Sequence, residues 1–325
     1  MRHSPRSVLV LHEDMAADAR PDEVDVLAQV THVSAAMKAF HWSVSVLPAD
    51  LDLAAMRAEI VRRKPALVFN LVESLGGDGR LIHLVPSVLQ SIGVAFTGSG
   101  SDALYLSSQK LLAKHWMRSN NIPTPPDLAL SNDRDDKKST WIVKSVWEHA
   151  SFGMDDGCVV NSADAARKRI ERCRMLYGGD WFAESFVDGR EFNVSLIEVD
   201  GRPQVLPIAE MTFVDYPRGK PKIVGYAAKW DEAAPEYHAT QRVFAKLAAT
   251  EQRRLCEIAL QCWEVFDLRG YARVDVRLDA AGTPWVLEIN ANPCLTPDAG
   301  FVAAATESGR SYSRLIELIT AAARD

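Results

Sequence analysis

The segment Tyr-Ala-Arg-Val-Asp-Val-Arg-Leu at 271–278, a short polar turn at 279–283, and Pro-Trp-Val-Leu-Glu-Ile-Asn at 284–290 constrain this chain more than any other stretch. Side chains alternate faces along a strand, so two alternating runs around a glycine-containing turn predict an antiparallel hairpin. Turning about Ala281-Gly282 sets Asp275 opposite Glu288 and Arg273 opposite Asn290 on one face. Val274, Val276, Leu287 and Ile289 then enter a core on the other. Carboxylates directly across a strand pair repel unless a cation lies between them. Asp275, Glu288 and Asn290 make an oxygen-rich set that suits Mg²⁺, which favours a few carboxylates together with substrate phosphates. The competing reading is a solvent-facing hairpin whose acids are answered by Arg273 and Arg277.

Lys110, Lys144 and Lys229 are far apart in sequence, yet each sits beside apolar residues and can reach a common nucleotide site. Singly, each reads equally as a surface lysine with a snorkelling stem. Lys110 and Lys114 fall one turn apart on a helix expected from Ser101 or Asp102 through Trp116. Lys144 lies on a strand expected over 141–146. The glycine-containing loop at 149–157 offers backbone N–H groups suited to phosphate oxygens.

Upstream, strands expected at 8–11, 42–47 and 66–71, with helical segments between, suggest a small open α/β unit. The Gly-rich polar run at 70–80 then reads as a loop at the carboxyl end of a strand, where open sheets place ligands. Residues 133–138 are a solvated charge run, and Ser162 caps a basic helix ending near 177–179. A strand follows at 181–187, and the Asp200-Gly201 turn joins strands at 191–199 and 203–209. The aperiodic stretch 213–234 reads as a long mobile loop of the functional kind. A bent helix is expected over 239–266, and a closing helix over 311–323.

Composition excludes several function classes. With 37 basic and 43 acidic residues the net charge is −6, which disfavours a nucleic-acid or anionic-membrane partner. Apolar runs fall well short of the roughly 18 residues of a membrane span, and the N-terminus does not read as a signal peptide. The five cysteines show no Cys-x-x-Cys spacing, so reduced thiols in a cytoplasmic protein are expected.

From about Phe69 onward the chain resembles the D-alanine–D-alanine ligase branch of the ATP-grasp enzymes. The resemblance rests on Phe96-Thr97-Gly98-Ser99-Gly100, the helix with Lys110 and Lys114, and Ile122-Pro123-Thr124-Pro125. It continues through Val143-Lys144, Ser151-Phe152-Gly153-Met154, and Glu184-Ser185-Phe186-Val187 with Glu191. Tyr226-Ala227-Ala228-Lys229, Arg273-Val274-Asp275 and Glu288-Ile289-Asn290-Ala291-Asn292-Pro293 complete it in the same order.

The resemblance implies an α/β (α+β) ATP-grasp fold. It would comprise an N-terminal open α/β domain at 1–100, a central lid domain at 101–187 and a C-terminal metal-binding domain at 188–325. It implies ATP and Mg²⁺ as cofactors and a homodimer. Lys110, Lys144 and Lys229 would bind phosphates beneath a closing loop formed by Ser151, Gly153 and Met154. Glu184, Phe186 and Val187 would hold adenine, and Glu191 the ribose. Asp275, Glu288 and Asn290 would carry the metal. Arg273 and Lys229 would serve the reacting centre, with Arg273 stabilising the charge formed when an amine attacks an acyl phosphate.

The amino-acid subsites depart from the family pattern. The glutamate segment that binds the first ammonium is here Leu11-His12-Glu13-Asp14-Met15-Ala16, without its glycines. The serine that supports it is Ala150, and the tyrosine after the loop lysine is Trp230. The glycine after Asn-x-x-Pro is Cys294, and the serine that anchors the acceptor carboxylate falls at Ala299, beside Asp298. Glu13, Glu73 or Asp78 can partner a cationic group or can be solvated acids. Asp298 can meet the acceptor, favouring an uncharged or cationic one, or can cap a helix. The expected function is ATP-dependent carboxylate–amine ligation of small amino-acid or peptide substrates other than a D-alanine pair. The alternatives are peptide tailoring, a non-amine nucleophile, or a nucleotide-binding regulator without turnover.

Overall fold

The computed structural model describes residues 6–15, 21–130, 139–148, 151–216, 218–244 and 247–325. The charge run at 133–138 and the start of the phosphate-type loop, His149-Ala150, lie outside them. Strand β1 (Ser7–Glu13) is central in a parallel sheet of order β2-β1-β3, flanked by β2 (Ser43–Ala49) and β3 (Leu67–Asn70). Helix α1 (Pro21–Ala39) and helix α2 (Leu53–Arg63) make the crossovers. Val8 and Val10 pack into one core with Val33 and Met37 of α1, whereas Leu9 and Leu11 pack into a second with Met56 and Ile60 of α2. A parallel sheet covered on both faces needs such a continuous apolar run. Helix α3 (Leu84–Ser91) completes the second core.

Helix α4 (Ser101–Ser108) and helix α5 (Lys110–Ser119) replace the single helix expected here. Gln109 leaves the helical region, ends α4 and caps α5 through its side chain at Leu112 N–H, 2.6 Å away. Gly100, not Ser101 or Asp102, is the N-cap of α4. Strand β4 (Trp141–Ser145) pairs antiparallel with β5 (Val159–Val160) and with β6 (Trp181–Ser185), so the strand expected to reach Val187 stops earlier. Helix α6 (Ala163–Tyr177), capped by Ser162 as expected, covers one face by packing on Trp141, Val143 and Trp181. Alternation leaves Ile142, Lys144 and Glu184 on the other face.

The large antiparallel sheet follows β10-β9-β7-β11-β12, with β8 beside β7. Its members are β7 (Arg190–Val199), β8 (Arg202–Val205), β9 (Ala209–Phe213), β10 (Thr240–Val243), β11 (Tyr271–Leu278) and β12 (Pro284–Asn290). Helix α9 (Ala249–Val265) packs on one face with residues of α4 and α5, burying Val194, Val274, Val276 and Ile289. Each such side chain contributes roughly 1.5–3 kcal/mol by leaving water. Helix α10 (Gly300–Glu307) and helix α11 (Tyr312–Ala321) join the α1 side of the parallel sheet.

Four expectations need correction. The strand expected over 203–209 is two strands, β8 and β9, separated by 206–208. The aperiodic stretch 213–234 contains helix α7 (Tyr226–Trp230), and the long helix expected over 239–266 begins instead with helix α8 (Pro235–Ala239) ending and β10 following. In the hairpin, Asp275 faces Glu288 and Arg273 faces Asn290 as expected, but Val276 then pairs with Val286. Leu287 is the extra residue of a β-bulge. Val286, not Leu287, enters the core.

Candidate active site

A cavity of about 400 Å³ lies between the small sheet, the polar face of the large sheet and the carboxyl end of the parallel sheet. Its apolar wall combines Ile142, Met154, Phe186, Ile223 and Leu287. The bulge makes this possible, because it lets the consecutive residues Leu287 and Glu288 both line the cavity.

At the base of this wall Glu184 is 1% exposed. Lys144 Nζ lies 2.7 Å from its Oε1, and Lys114 Nζ lies 2.5 Å from its Oε2 while also donating to Thr124 Oγ1 at 2.8 Å. Burial alone pushes the Glu184 carboxyl up, but Lys114 and Lys144 hold it below its ordinary value. For Lys144 burial pulls down, and Glu184 more than restores the charge, leaving its pKa raised. Lys114 was noted in the sequence without a role. Its spacing of four from Lys110 was the available signal.

Lys110, the first residue of α5, is 6% exposed, donates to the Glu148 carbonyl at 2.7 Å and lies 3.9 Å from Glu288 Oε2. Lys229 lines the cavity from α7. The pKa of each is lowered chiefly by burial, with Lys144 adding to the effect at Lys110 and Arg273 at Lys229. Ammonium groups so placed gain from an anion between them. The phosphate-type loop is docked on the segment that carries Lys229. Ser151 Oγ donates to the Val224 carbonyl at 2.7 Å, and Tyr226 N–H donates to the Met154 carbonyl at 3.1 Å. Ser151 and Met154 line the cavity, whereas Gly153, in the left-handed region at φ 67°, packs its backbone against Trp181 and does not.

On the hairpin, Arg273 forms a fork with Asp275, Nε to Oδ1 and Nη2 to Oδ2, both 2.8 Å. Asn193 Nδ2 also donates to Asp275 Oδ1, at 2.7 Å. Asp275 is nevertheless raised, because burial outweighs Arg273 and Glu288 adds its negative charge. Asn290 Oδ1 accepts Asn292 N–H at 2.9 Å. Glu191 is held by Arg277 Nε and Nη2 at 3.0 and 2.8 Å. Arg277 also donates to the Val187 carbonyl at 2.7 Å and lies 5.1 Å over the Phe186 ring. Of the competing reading of the hairpin, Arg273 does answer a hairpin acid, Asp275, whereas Arg277 answers Glu191 of β7 and neither hairpin carboxylate. Among the described residues no three of His, Cys, Asp and Glu close into a metal group. Two facing carboxylates and an amide, one acid destabilised by burial and by its neighbour, fit a hard divalent cation shared with phosphate oxygens.

The far end of the cavity is lined by Asp25, Glu73, Trp230, Arg242, Cys294 and Asp298. Cys294 Sγ donates to Asp25 Oδ2 at 2.9 Å, and Gln29 Nε2 donates to Glu73 Oε1 at 2.9 Å. Burial raises Asp25, and Asp298 raises it further, against the lowering bond from Cys294. Glu13 is buried outside the lining, where its Oε2 accepts the Glu73 N–H at 3.2 Å. Asp78 is paired with Arg80 at 2.6 Å. Asp298 does not cap α10, whose N-cap is Ala299 without a side-chain bond. Sequence reasoning missed Asn193, although it lies two residues from Glu191 and so on the same strand face. It also missed Asp25, Arg242 and Leu287, for which no local pattern existed.

A nucleotide-sized cleft between a small antiparallel sheet and the polar face of a larger one, with lysines from both sides converging on acids of a hairpin, defines an ATP-grasp protein. The D-alanine–D-alanine ligase C-terminus model matches residues 130–321, more than half of the chain. The chain belongs to the D-alanine–D-alanine ligase family. It is 32% identical to the uncharacterized protein y4sG of Sinorhizobium fredii over 80% of this chain and 75% of that one. It is 26% identical to the D-alanine–D-alanine ligase of Hydrogenovibrio crunogenus over 84% and 82%. The Bacillus anthracis D-alanine–D-alanine ligase, solved in complex with ATP, shares the fold with TM-score 0.75 at 18% identity, over 98% of this chain and 97% of that one. No helix among the described residues is long and apolar enough to cross a membrane.

Proposed function

We propose that the protein is an ADP-forming carboxylate–amine ligase that joins small amino-acid or peptide substrates other than two D-alanines. The observation that carries this reading is the meeting of Lys110, Lys144, Lys229, Asp275 and Glu288 in one cavity whose far end is lined by Asp25, Cys294 and Asp298. The apolar wall, with Phe186 and Leu287, suits a purine base, Glu184 and Val187 lie at its edge, and Glu191 suits ribose hydroxyls. Asp275, Glu288 and Asn290 would hold Mg²⁺, which supplies charge neutralisation at the phosphates.

The chain's own residues account for the rest. The lysines bind and align the phosphate chain, and the loop at 151–154 and helix α7 exclude water from it. The substrate carboxylate takes the terminal phosphoryl group of ATP, giving an acyl phosphate and ADP. The amine then adds to the acyl carbon and phosphate leaves. Arg273, held in place by Asp275, meets the negative charge on the acyl oxygen in that second step. Asp25 and Glu73 are placed to face a substrate ammonium. A screen for phosphate release from ATP against amino acids and dipeptides, offered singly and in pairs, tests the reading. Release that requires a carboxylate and an amine together supports it, and release with no dependence on either counts against it.

A further inference from the structure

Arg277 stands on β11 directly opposite Glu191 of β7, two residues from Asp275 and therefore on the same face of the large sheet. It is 4% exposed. Its Nε and Nη2 donate to Glu191 Oε2 at 3.0 and 2.8 Å, its Nη1 to the Val187 carbonyl at 2.7 Å, and its Nη2 also to the Lys222 carbonyl at 2.5 Å. The Phe186 ring lies beneath the guanidinium, 5.1 Å away. Glu191, Val187 and Phe186 all line the cavity, and Lys222 belongs to the segment that runs on to Lys229 of α7.

Two features go beyond charge balance. Arg273 meets Asp275 with one bond to each oxygen, the usual fork of a guanidinium with a carboxylate. Arg277 instead places both of its bonds to Glu191 on Oε2, and among the described residues Oε1 accepts no hydrogen bond. One oxygen of a fixed acid is thereby left to accept from a ligand hydroxyl. The second feature is reach. A planar group with donors on three nitrogens joins a carboxylate, two carbonyls from separate segments and an aromatic face at once, which the point charge of a lysine cannot do.

Resting on the nucleotide site of the ligase reading above, we infer that Arg277 is the positioning residue of that site. It turns the open oxygen of Glu191 to the ribose hydroxyls, holds Phe186 for the base, and ties the segment bearing Lys229 to both. Arg277 acts through these groups and not on the reacting atoms, so its effect falls on nucleotide affinity and on selection of the sugar.

The test uses the full chain with Mg²⁺ and no second substrate, titrated calorimetrically with ATP and with dideoxy-ATP, which lacks both ribose hydroxyls. The unaltered protein should bind ATP roughly 10- to 100-fold more tightly, the weight of hydrogen bonds to a charged acceptor. Arg277→Lys keeps a cation opposite Glu191 without the planar fork, so it should fold and yet bind the two nucleotides almost equally. Glu191→Gln combined with Arg277→Met leaves no buried charge without its partner, so this variant too should fold and lose the preference. Proteolysis within 213–234 in the presence of ATP should be faster in Arg277→Lys than in the unaltered protein, because the Lys222 carbonyl loses its donor. A full preference for ATP in Arg277→Lys would make Arg277 a mere counter-ion of Glu191 and overturns the inference. Equal binding of both nucleotides by the unaltered protein, no binding of either, or equal proteolysis of the two proteins also overturns it. Phosphate release separates the two readings. Turnover of a substrate pair together with an undiminished preference in Arg277→Lys overturns the role of Arg277 and leaves the ligase standing. A preference that depends on Arg277 without turnover for any pair supports Arg277 and overturns the ligase.

Discussion

Lys144 Nζ lies 2.7 Å from Glu184 Oε1, and the same carboxylate is gripped from its other oxygen by Lys114, so a single buried acid holds two lysines at the base of the cavity. Removing the acid leaves two ammonium groups facing each other without compensation. Glu184→Ala should therefore destabilise the fold by about 3–5 kcal/mol, measured as a lower denaturant midpoint. Lys144→Met leaves the Lys114 pair intact and should cost much less stability while weakening ATP binding at least ~10-fold.

The same pair sets a pH dependence. The Glu184 carboxyl titrates below its ordinary value of 4.5 in the fold, so its contribution is complete above that value and fades as pH falls through the lower folded value. Wild-type stability should drop below pH 4.5 more steeply than that of Glu184→Gln, which has no proton to take up at this site. Parallel acid-unfolding curves for the two proteins would reject the assignment.

Glu288→Gln separates chemistry from folding. Asp275 and Glu288 face each other across the strand pair, and mutual repulsion costs the fold up to roughly 1 kcal/mol. The amide should thus unfold at the same temperature as wild type or slightly higher. It should lower turnover roughly 100-fold or more, because the charge that balances a cation at the phosphates is lost. Unchanged phosphate release would remove the hairpin from the catalytic site.

The register of that hairpin was legible because two alternating runs and a polar turn allow few pairings that bury Val274 and Ile289 together. The bulge was not, because one extra residue leaves the alternation of each strand intact in sequence and is decided by what packs on either face. Leu287 crossed from core to cavity for that reason. The lysines were legible as a set only through the order of the surrounding motifs. Thr240–Val243 was hidden inside a helical-looking, alanine-rich stretch, so an edge strand and the arginine on it stayed out of view. Tertiary pairing with Phe213–Glu210 overrode local propensity there.

Gly225 tests whether loop and lysine close together. A Cβ at this position would fall 2.8 Å from the Met154 carbonyl, although the backbone at φ −77° accepts any residue. Gly225→Ala should therefore leave the core intact and force apart the Ser151–Met154 loop and the segment bearing Lys229. We expect turnover to fall at least ~10-fold, since small misplacements of a positioned group are costly. Limited proteolysis within 213–234 should be suppressed by ATP and substrate in wild type and much less in the variant. Equal cleavage of wild type with and without ligands would show that no closure occurs.

The last expectation is that the protein does not join two D-alanines at a useful rate, roughly 100-fold below its best pair or worse. In the family pattern the first ammonium meets a glutamate at the end of the first strand. Here Glu13 occupies that end, yet its Oε2 takes the Glu73 N–H and its side chain stays out of the cavity lining. Asp25 arrives from α1 instead, bound to the Cys294 thiol, and Glu73 is held by Gln29. On the proposed reading the anionic partner of an ammonium is on another element, and a substrate as small as alanine would not bridge the displacement and keep its carboxylate at the phosphates. A larger amino acid or a dipeptide can, which places the preference for size at the carboxylate-donating end. Asp25→Ala should reduce turnover of the best pair far more than Glu13→Gln does, with the loss appearing in KM for the first substrate. Ready synthesis of D-alanyl-D-alanine by the wild type, or equal effects of the two substitutions, would return the ammonium site to Glu13.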